Sequence, residues 1–357
     1  MDRESLLPPA AEPALRHAAG PPLRHWSIVH GPAHSTAFWM ALFLVTLILL
    51  FGALSHTFFQ FTNFQNMALD ASEAILLAVG STLLLGAREL DLSIGANLVL
   101  ASVVAGDTIQ ALAGTPQQVA AGVYPHLITA IAAGTAAGVV CGAAFGLINA
   151  LLVIRLRISS FIVTLGTTGI GTGTAYVITN GYNVPYLPRA LQLGFGIKKL
   201  LGVAPLPIVV VLALACAVWY VFNATRFGLY TRGIGSSRDA ALRAGLNVDR
   251  HVVVLFGLMG LFAGVAGVLD ITRFATTNVS GHQTDALAAI AAAVIGGTSL
   301  FGGVASVGGA MIGALIPVVL GTGLVIIGVQ AFYQLIVVGV ILIVAVYLDR
   351  RRRQALE

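Results

Sequence analysis

The sequence predicts an all-α, polytopic membrane protein with about ten transmembrane helices, several of them short or broken. Of its 357 residues, 57% are hydrophobic and only 9% are charged, and the mean hydropathy is +0.92. Such a chain has too few polar side chains to cover a soluble globule. Apolar runs of membrane-spanning length recur along nearly the whole chain, so we predict one membrane domain over residues 37–349.

The apolar runs give ten predicted spans, some of them shorter than the ~20 residues that a straight crossing needs. The Leu287 run is the shortest, so we expect broken or partly re-entrant helices near it. In chain order the predicted spans are Phe38–Leu54, Ala71–Gly86, Leu92–Leu112, Leu127–Ile154, Phe161–Ile178, Ile208–Phe222, Val252–Ile271, Leu287–Ile295, Ala305–Leu324 and Phe332–Leu348.

Arginine placement predicts the orientation of these spans, because cytoplasmic loops carry the excess of basic residues. An N-terminal tail (1–36) and a basic C-terminal tail (350–357) are both expected in the cytoplasm, together with the arginine-rich loop 224–250. The loop around Asp70 is expected on the outside. The basic segment 189–199 and Arg273 do not fit this orientation, and a count that omits the Leu287 run would place the C-terminal arginines outside.

Glycines recur every four residues along the fourth predicted span and again in the ninth. This spacing leaves one face of a helix without side chains, so a second helix can approach closely. We therefore predict helix-packing roles for Gly134, Gly138, Gly142, Gly146, Gly309 and Gly313.

The stretch ARELDLSIG places Arg88, Glu89 and Asp91 between two apolar runs. Charged groups at membrane depth are costly, so a structural or gating ion pair at a helix break is one interpretation. The other is a short cytoplasmic turn in which Asp91 or Ser93 caps the third helix. A glycine-rich break at 296–309 repeats the pattern in the second half of the chain, as in transporters built from internal repeats.

Enzyme and nucleic-acid classes are disfavoured by what the sequence lacks. No HExxH or GxSxG motif is present, and the only lysines, Lys198 and Lys199, do not follow a phosphate-binding glycine loop. The two cysteines have no metal-like spacing. The net charge of +5 comes from arginines at span ends rather than from one basic patch. We therefore expect no catalytic residues, no metal and no cofactor on this chain, so ATP would have to be bound by another subunit.

The loop 224–250 contains the stretch GSSRDAALRAG, which predicts a helix of about two turns. Ser236 or Ser237 can cap it, Asp239 lies in its first turn, and Gly245 stands where it would end. A helix this short is marginal in water unless it packs against something. The alternative is a solvated loop with a transient helix.

The same stretch resembles a known family. DAALRAG is similar to the Glu-Ala-Ala-x-x-x-Gly coupling signature of permease subunits of ATP-binding-cassette importers, with Asp239 in the place of Glu. The run GSSRDAALRAGLNV resembles ribose- and xylose-type sugar permeases, which have Gly-Asn where this chain has Ser236 and Ser237. Three further stretches are similar to that family: ARELDLSIG, GLINALLVIRLRISSFIVTLGT and IGGTSLFGGVASVGGAMIGA. The likeness covers roughly residues 66–349.

The resemblance implies a type II-like permease of the ribose permease kind, in the bacterial inner membrane. Two permease chains, identical or different, would form the path, a periplasmic or lipid-anchored binding protein would deliver a sugar, and ATPase subunits would bind ATP and Mg²⁺. The resemblance implies that the short helix docks on the ATPase, through Ser236, Ser237, Arg238, Asp239, Ala240, Ala241, Arg243 and Gly245.

The sequence leaves the path lining, the substrate and the energy source open. The candidate path residues are Asn97, Asn149, Phe161, Thr164, Thr167 and Thr168, although the threonines can equally bond to their own helix. The same scaffold also suits a branched-chain amino acid, a nucleoside or a signalling furanose. An ion-coupled carrier would instead need titratable groups in mid-membrane, for which Asp270 and Asp285 are the candidates.

Overall fold

The computed structural model describes residues 36–330 and, beyond them, single residues between 332 and 347. The predicted tails, apart from Thr36, lie outside the described residues, as do the bounds of the tenth predicted span; the residues described within that span are helical. The all-α prediction is confirmed. The helices, numbered in chain order, are α1 (Thr36–Leu54), α2 (Phe61–Gly86), α3 (Ile94–Ala113), α4 (Pro116–Ala120), α5 (Leu127–Leu156), α6 (Ser160–Thr179), α7 (Arg189–Leu191), α8 (Leu206–Ala224), α9 (Arg226–Ser236), α10 (Arg238–Arg243), α11 (Val248–Phe274), α12 (Asp285–Ile295) and α13 (Val307–Ile326).

Seven of these helices are long and apolar enough to cross a membrane: α2, α3, α5, α6, α8, α11 and α13. Two more apolar helices, Phe38–Leu54 within α1 and α12, are shorter. The remaining regular structure is a 3₁₀ helix (His56–Phe59), a π-helical turn (Gln192–Gly196) and a two-stranded antiparallel hairpin of β1 (Lys199–Leu200) and β2 (Ala204–Pro205). The chain is a multi-pass membrane protein.

The start of the second span differs from the prediction. Helix α2 begins at Phe61 rather than Ala71, so Asp70 lies within a helix and not in an outside loop. Its carboxylate accepts a hydrogen bond from the Arg273 guanidinium of α11. This pairing lowers the free-energy cost of placing a charge in the span. It also provides a partner for Arg273, which did not fit the predicted orientation.

The loop 224–250 is also more ordered than predicted, because its first part forms the 11-residue helix α9. The Thr225 hydroxyl accepts a hydrogen bond from the Phe227 backbone N–H and so caps this helix. Its last glycine, Gly235, packs so closely on α2 that an added Cβ would lie 2.0 Å from the Gly86 carbonyl oxygen. Helix α9 therefore holds the start of α10 against the end of α2.

The core of the bundle is built on glycine contacts. A Cβ added at Gly142 of α5 would lie 2.4 Å from the Gly264 Cα of α11, and one at Gly146 would lie 2.8 Å from the Gly260 Cα. Gly134 and Gly138 of the same helix contact α3, while Gly309 and Gly313 of α13 contact the end of α12. Backbones touch at these points. The helices of each pair, α5 with α11, α5 with α3 and α13 with α12, therefore lie closer than larger side chains would allow.

Two helix breaks meet inside the bundle. The first, 87–93, precedes α3, and the second, 275–284, precedes α12. Helix α12 has only 11 residues, about 16 Å of length, or half of a ~30 Å hydrocarbon core. The His282 carbonyl oxygen of the second break would lie 2.0 Å from a Cβ added at Gly95 in the first turn of α3. The glycine-rich break predicted at 296–309 is a third non-helical link, which the structure limits to 296–306, and its Gly303 N–H bonds the Gly86 carbonyl.

Candidate coupling site

Helix α10 has the caps that its sequence suggests. It runs from Arg238 to Arg243, and the Ser237 hydroxyl accepts a hydrogen bond from the Ala240 backbone N–H at 3.3 Å. Ser236 is instead the last residue of α9. Asp239 lies in the first turn, where its negative charge is favourable near the positive end of the helix dipole.

The helix ends at a left-handed glycine. Gly245 has φ +81°, and its N–H bonds the Leu242 carbonyl while the Leu246 N–H bonds the Ala241 carbonyl. An added Cβ at Gly245 would meet nothing within 4 Å. The glycine is therefore required by its backbone conformation and not by close packing within this chain.

The two faces of α10 have different environments. Ala241 is buried, 6% exposed, and belongs to the core of this chain. The opposite side is open, with Asp239, Ala240 and Arg243 exposed and Leu242 53% exposed. The exposed side is the surface available to a partner, and it contains an apolar side chain between polar ones.

Arg238 joins three separate parts of the chain. Its Nη1 lies 3.3 Å from Glu89 Oε1 in the first break, and its Nη2 lies 3.0 Å from Asp249 Oδ1 at the start of α11. An ion pair was one interpretation of the charges in ARELDLSIG, but no partner outside that stretch was predicted. Glu89 pairs with Arg238, so α10 is attached directly to the break that leads into α3.

The same break is held from its other side by α5 and α6. The Leu90 N–H donates to the Ser160 hydroxyl at 3.1 Å, and the Asn149 amide donates to the Ser93 hydroxyl at 2.8 Å. Asp91 accepts from both the N–H and the hydroxyl of Ser93. The carboxylate therefore fixes the residue just before α3. The capping interpretation is wrong, because neither Asp91 nor Ser93 accepts a hydrogen bond from a backbone N–H in the first turn of α3.

Burial shapes the titration of both carboxyl groups in this break. It raises the pKa of Glu89, and the Ser160 hydroxyl and the Arg238 guanidinium oppose that rise only in part. It raises the pKa of Asp91 to about 6 against the opposing hydrogen bonds from Ser93. Arg88, by contrast, is exposed and has φ +65°, so it marks the turn that reverses the chain.

Cavities flank α10 on two sides. A cavity of about 580 Å³ is lined by Arg88, Glu89, Arg157, Ser159, Ser160, Arg238 and Leu242, with four further residues. A second, of about 340 Å³, lies beside Gly245, Leu246, Asn247 and His251. The first cavity includes Leu242 of the exposed face, and the second lies beside the residues that follow the end of the helix.

The suggested path residues are not brought together as one lining. Asn97 and Asn149 are buried where α3 and its preceding break meet α5, and the Asn97 amide donates to the Gly142 carbonyl at 3.1 Å. The hydroxyls of Thr164, Thr167 and Thr168 bond carbonyls of their own helix α6, whereas Phe161 is 48% exposed. Each asparagine keeps a buried side-chain oxygen without a partner among the described residues.

Replacing Asp91 with alanine is expected to destabilise the protein by about 1 to 3 kcal/mol, because the buried Ser93 N–H loses its acceptor. Thermal unfolding of the purified chain measures this effect. Asp107→Ala, at a half-buried α3 carboxyl with no hydrogen bond in the described residues, is the control and should change stability by less than about 0.5 kcal/mol. Equal effects for the two variants would contradict a structural role for Asp91.

Sequence reasoning missed Asp249 and Leu242 as members of this site. Asp249 lies 11 residues beyond Arg238, in a separate helix, so no local spacing predicts their pairing. Leu242 carries a weak signal, since it is the one large apolar residue in an otherwise polar and small-residue helix.

Comparison with known proteins places the chain in a family. The family model described as branched-chain amino acid transport system/permease component matches residues 63–346. The ribose import permease protein of Escherichia coli K12 is 33% identical over 336 residues, which is 91% of this chain and 98% of that protein. The D-allose transport system permease protein of the same organism is 33% identical over 86% of this chain and 89% of its own length.

A third relative, the L-arabinose ABC transporter permease protein of Azospirillum brasilense, is 32% identical over 87% of both chains. No solved structure matches the chain. Since the family model covers most of the chain and the relatives align over nearly their whole lengths, this protein belongs to the family of transport-system permease components.

Proposed function

We propose that this chain is the permease subunit of an ATP-driven sugar importer, in which it forms the translocation path for a small sugar. The family match and the relatives named for ribose, D-allose and L-arabinose support this function. The observation that carries the mechanism is the position of Arg238, which links the exposed helix α10 to Glu89 in the break before α3.

Helix α10 would couple ATP hydrolysis on a partner subunit to movement of this chain. An ATPase subunit that binds ATP and Mg²⁺ would receive the exposed face of this helix. Because Arg238 contacts both Glu89 and Asp249, a displacement of α10 would be passed at once to the break before α3 and to the start of α11. Both helices pack on α5 through glycine contacts, so the movement would reach the centre of the bundle. The chain itself would perform no catalysis.

The partners and the orientation follow from the same proposal. A binding protein, periplasmic or lipid-anchored, would deliver the sugar on the side opposite α10, and a second permease chain would complete the path. Both tails would lie in the cytoplasm of the inner membrane, on the side of α10. Glycines 166, 169 and 173 of α6 have no atoms within 4 Å of an added Cβ, which leaves an open surface in the described part of the chain where another helix can pack.

Asn97 and Asn149 support a polar route close to the first break. Each has a buried amide oxygen with no partner among the described residues, and such atoms are costly to leave unsatisfied. Water or a sugar hydroxyl would satisfy them as donors. We assign Thr164, Thr167, Thr168 and Phe161 to the same route only through their place on the neighbouring helix α6.

The test is reconstitution of the chain in liposomes with an ATPase subunit and a sugar-binding protein of the same organism. We expect the liposomes to take up a pentose or hexose. This uptake should require ATP on the side of the membrane where the ATPase is bound, and it should continue when ion gradients are collapsed. Leucine and a nucleoside are the competing substrates. Uptake of those alone would overturn the sugar assignment, and uptake without ATP that follows an ion gradient would overturn the importer itself.

A further inference from the structure

A cluster of titratable side chains lies at the break between α11 and α12, away from α10. His282 stands between two carboxyl groups: its Nδ1 lies 2.8 Å from Asp285 Oδ2, and its Nε2 lies 3.6 Å from Asp270 Oδ1. The Asp270 side chain is only 2% exposed. Asp270 Oδ2 and His282 Nε2 are buried without a hydrogen-bond partner in the described part of the chain.

Other charged groups face this cluster from the neighbouring helices. Helix α2 contributes Asp70 and Glu73, and α11 contributes Arg273. Arg273 pairs with Asp70, which leaves Glu73, Asp270 and Asp285 with one histidine. The first turn of α3 and the nearby part of α13, at Pro317, bring no titratable side chain.

A cavity gives this cluster contact with water. Its volume is about 180 Å³, and its polar lining is Asp70, Glu73, His282 and Asp285. The rest of the lining consists of alanine, leucine and proline side chains of α2, α12 and α13. A cavity of this size has room for several water molecules beside these four side chains, so protons can reach Glu73, Asp285 and the imidazole.

The charges of the cluster do not balance. Even with His282 protonated, three carboxylates would share one positive charge at a depth where uncompensated charge is costly. A histidine can donate from both ring nitrogens only as imidazolium, and here a carboxyl group faces each nitrogen. The arrangement therefore favours uptake of positive charge. Within the described residues, no three of these side chains converge closely enough to hold a metal ion.

We propose that Glu73, Asp270, His282 and Asp285 form a binding site for exchangeable protons, which closes the break between α11 and α12. Protonated His282 donates a hydrogen bond to Asp285, the first residue of α12, and its charge attracts the Asp270 carboxylate near the end of α11 across 3.6 Å. This site goes beyond the proposed function and does not depend on it.

The site lies where proton binding can affect the break before α3. The His282 backbone contacts Gly95 in the first turn of α3, and the break before α3 is tied to α10 by Arg238 and Glu89. Any rearrangement of that break changes the surroundings of His282 and hence its proton affinity. By linkage, protonation then shifts the balance between the arrangements of the break.

The test is thermal unfolding of the purified full-length chain in lipid nanodiscs between about pH 7 and about pH 10. The carboxylates hold a proton on His282 in the folded state, so this stabilisation is present at low pH and lost as pH rises. We expect the wild-type Tm to fall by roughly 2 to 4 °C per pH unit across this range, because the folded state keeps a proton on His282 that the unfolded chain has released. His282→Gln should remove this slope, and Asp285→Asn should end it at a pH about 1 to 3 units lower.

His126→Gln, at an exposed histidine at the start of α5, is the matched control and should keep the wild-type slope. If His282→Gln does not fold, the shift in Asp285→Asn, whose side chain is 28% exposed, decides the question. An unchanged slope in either cluster variant would overturn the proposal. So would a Tm that follows Na⁺ or K⁺ at constant pH, because the site would then bind a metal cation and not a proton.

Discussion

Replacing Leu242 with glutamate is expected to abolish ATP-driven uptake while leaving the permease folded. Leu242 is 53% exposed on the outer face of α10 and lines the larger cavity beside it. Apolar side chains in the desolvated centre of an interface contribute at least about 2 kcal/mol, so a carboxylate there should weaken ATPase binding by roughly 30-fold or more. Affinity of the purified permease for the ATPase and sugar uptake in liposomes measure the two effects.

Leu201→Glu is the control for this variant. Leu201 is 93% exposed at the tip of the β1–β2 hairpin, which the Gln65 side chain ties to the end of α2 remote from α10. This substitution should leave ATPase binding unchanged. Normal ATPase binding by Leu242→Glu would contradict docking through α10, whereas loss of binding in both variants would point to a general defect in folding.

Replacing Gly142 with alanine is expected to destabilise the core of the bundle by forcing α5 and α11 apart. The new Cβ would lie 2.4 Å from the Gly264 Cα and 2.6 Å from the Gly260 carbonyl oxygen, so α5 and α11 must separate. Overpacking of this kind costs about 1 to 3 kcal/mol or more, and here the obstacle is backbone, which cannot rotate away. Folded yield and Tm of the purified chain check this expectation.

Gly169→Ala in α6 is the matched control, since an added Cβ at that position meets nothing within 4 Å. Alanine is the better helix former by up to about 1 kcal/mol, so this variant should be as stable as the wild type or more so. If Gly142→Ala were equally stable, the close contact between α5 and α11 would be wrong.

Hydropathy was sufficient to find the spans, because crossing a membrane imposes a length and a composition that can be read locally. It also identified α12 as too short to cross. The start of α2 was misplaced because Asp70 ends the apolar run, while its stabilising partner, Arg273, lies 203 residues further along. A charge that is compensated by a distant residue looks, in sequence, like a charge in a loop.

The same limit applies to the coupling site. The caps and the end of α10 depend on neighbouring residues, so Ser237 and Gly245 could be placed from the sequence. The partners of Arg238 could not, because Glu89 lies 149 residues away and enters the site through a helix break. Asp270 and Asp285 could be singled out from the sequence as charged residues near span ends, but the histidine between them is positioned by the fold of the second break.

The two faces of α10 also bear on how such importers diverge. Two residues of α10 make their contacts within this chain. Arg238 pairs with two carboxylates, and Ala241 is buried in the core. Asp239, Leu242 and Arg243 are exposed, so the core of this chain places no packing constraint on their identity. Gene duplication followed by substitutions at those three positions would let a permease bind a different ATPase subunit. The contacts of Arg238 and Ala241 within the permease would stay the same.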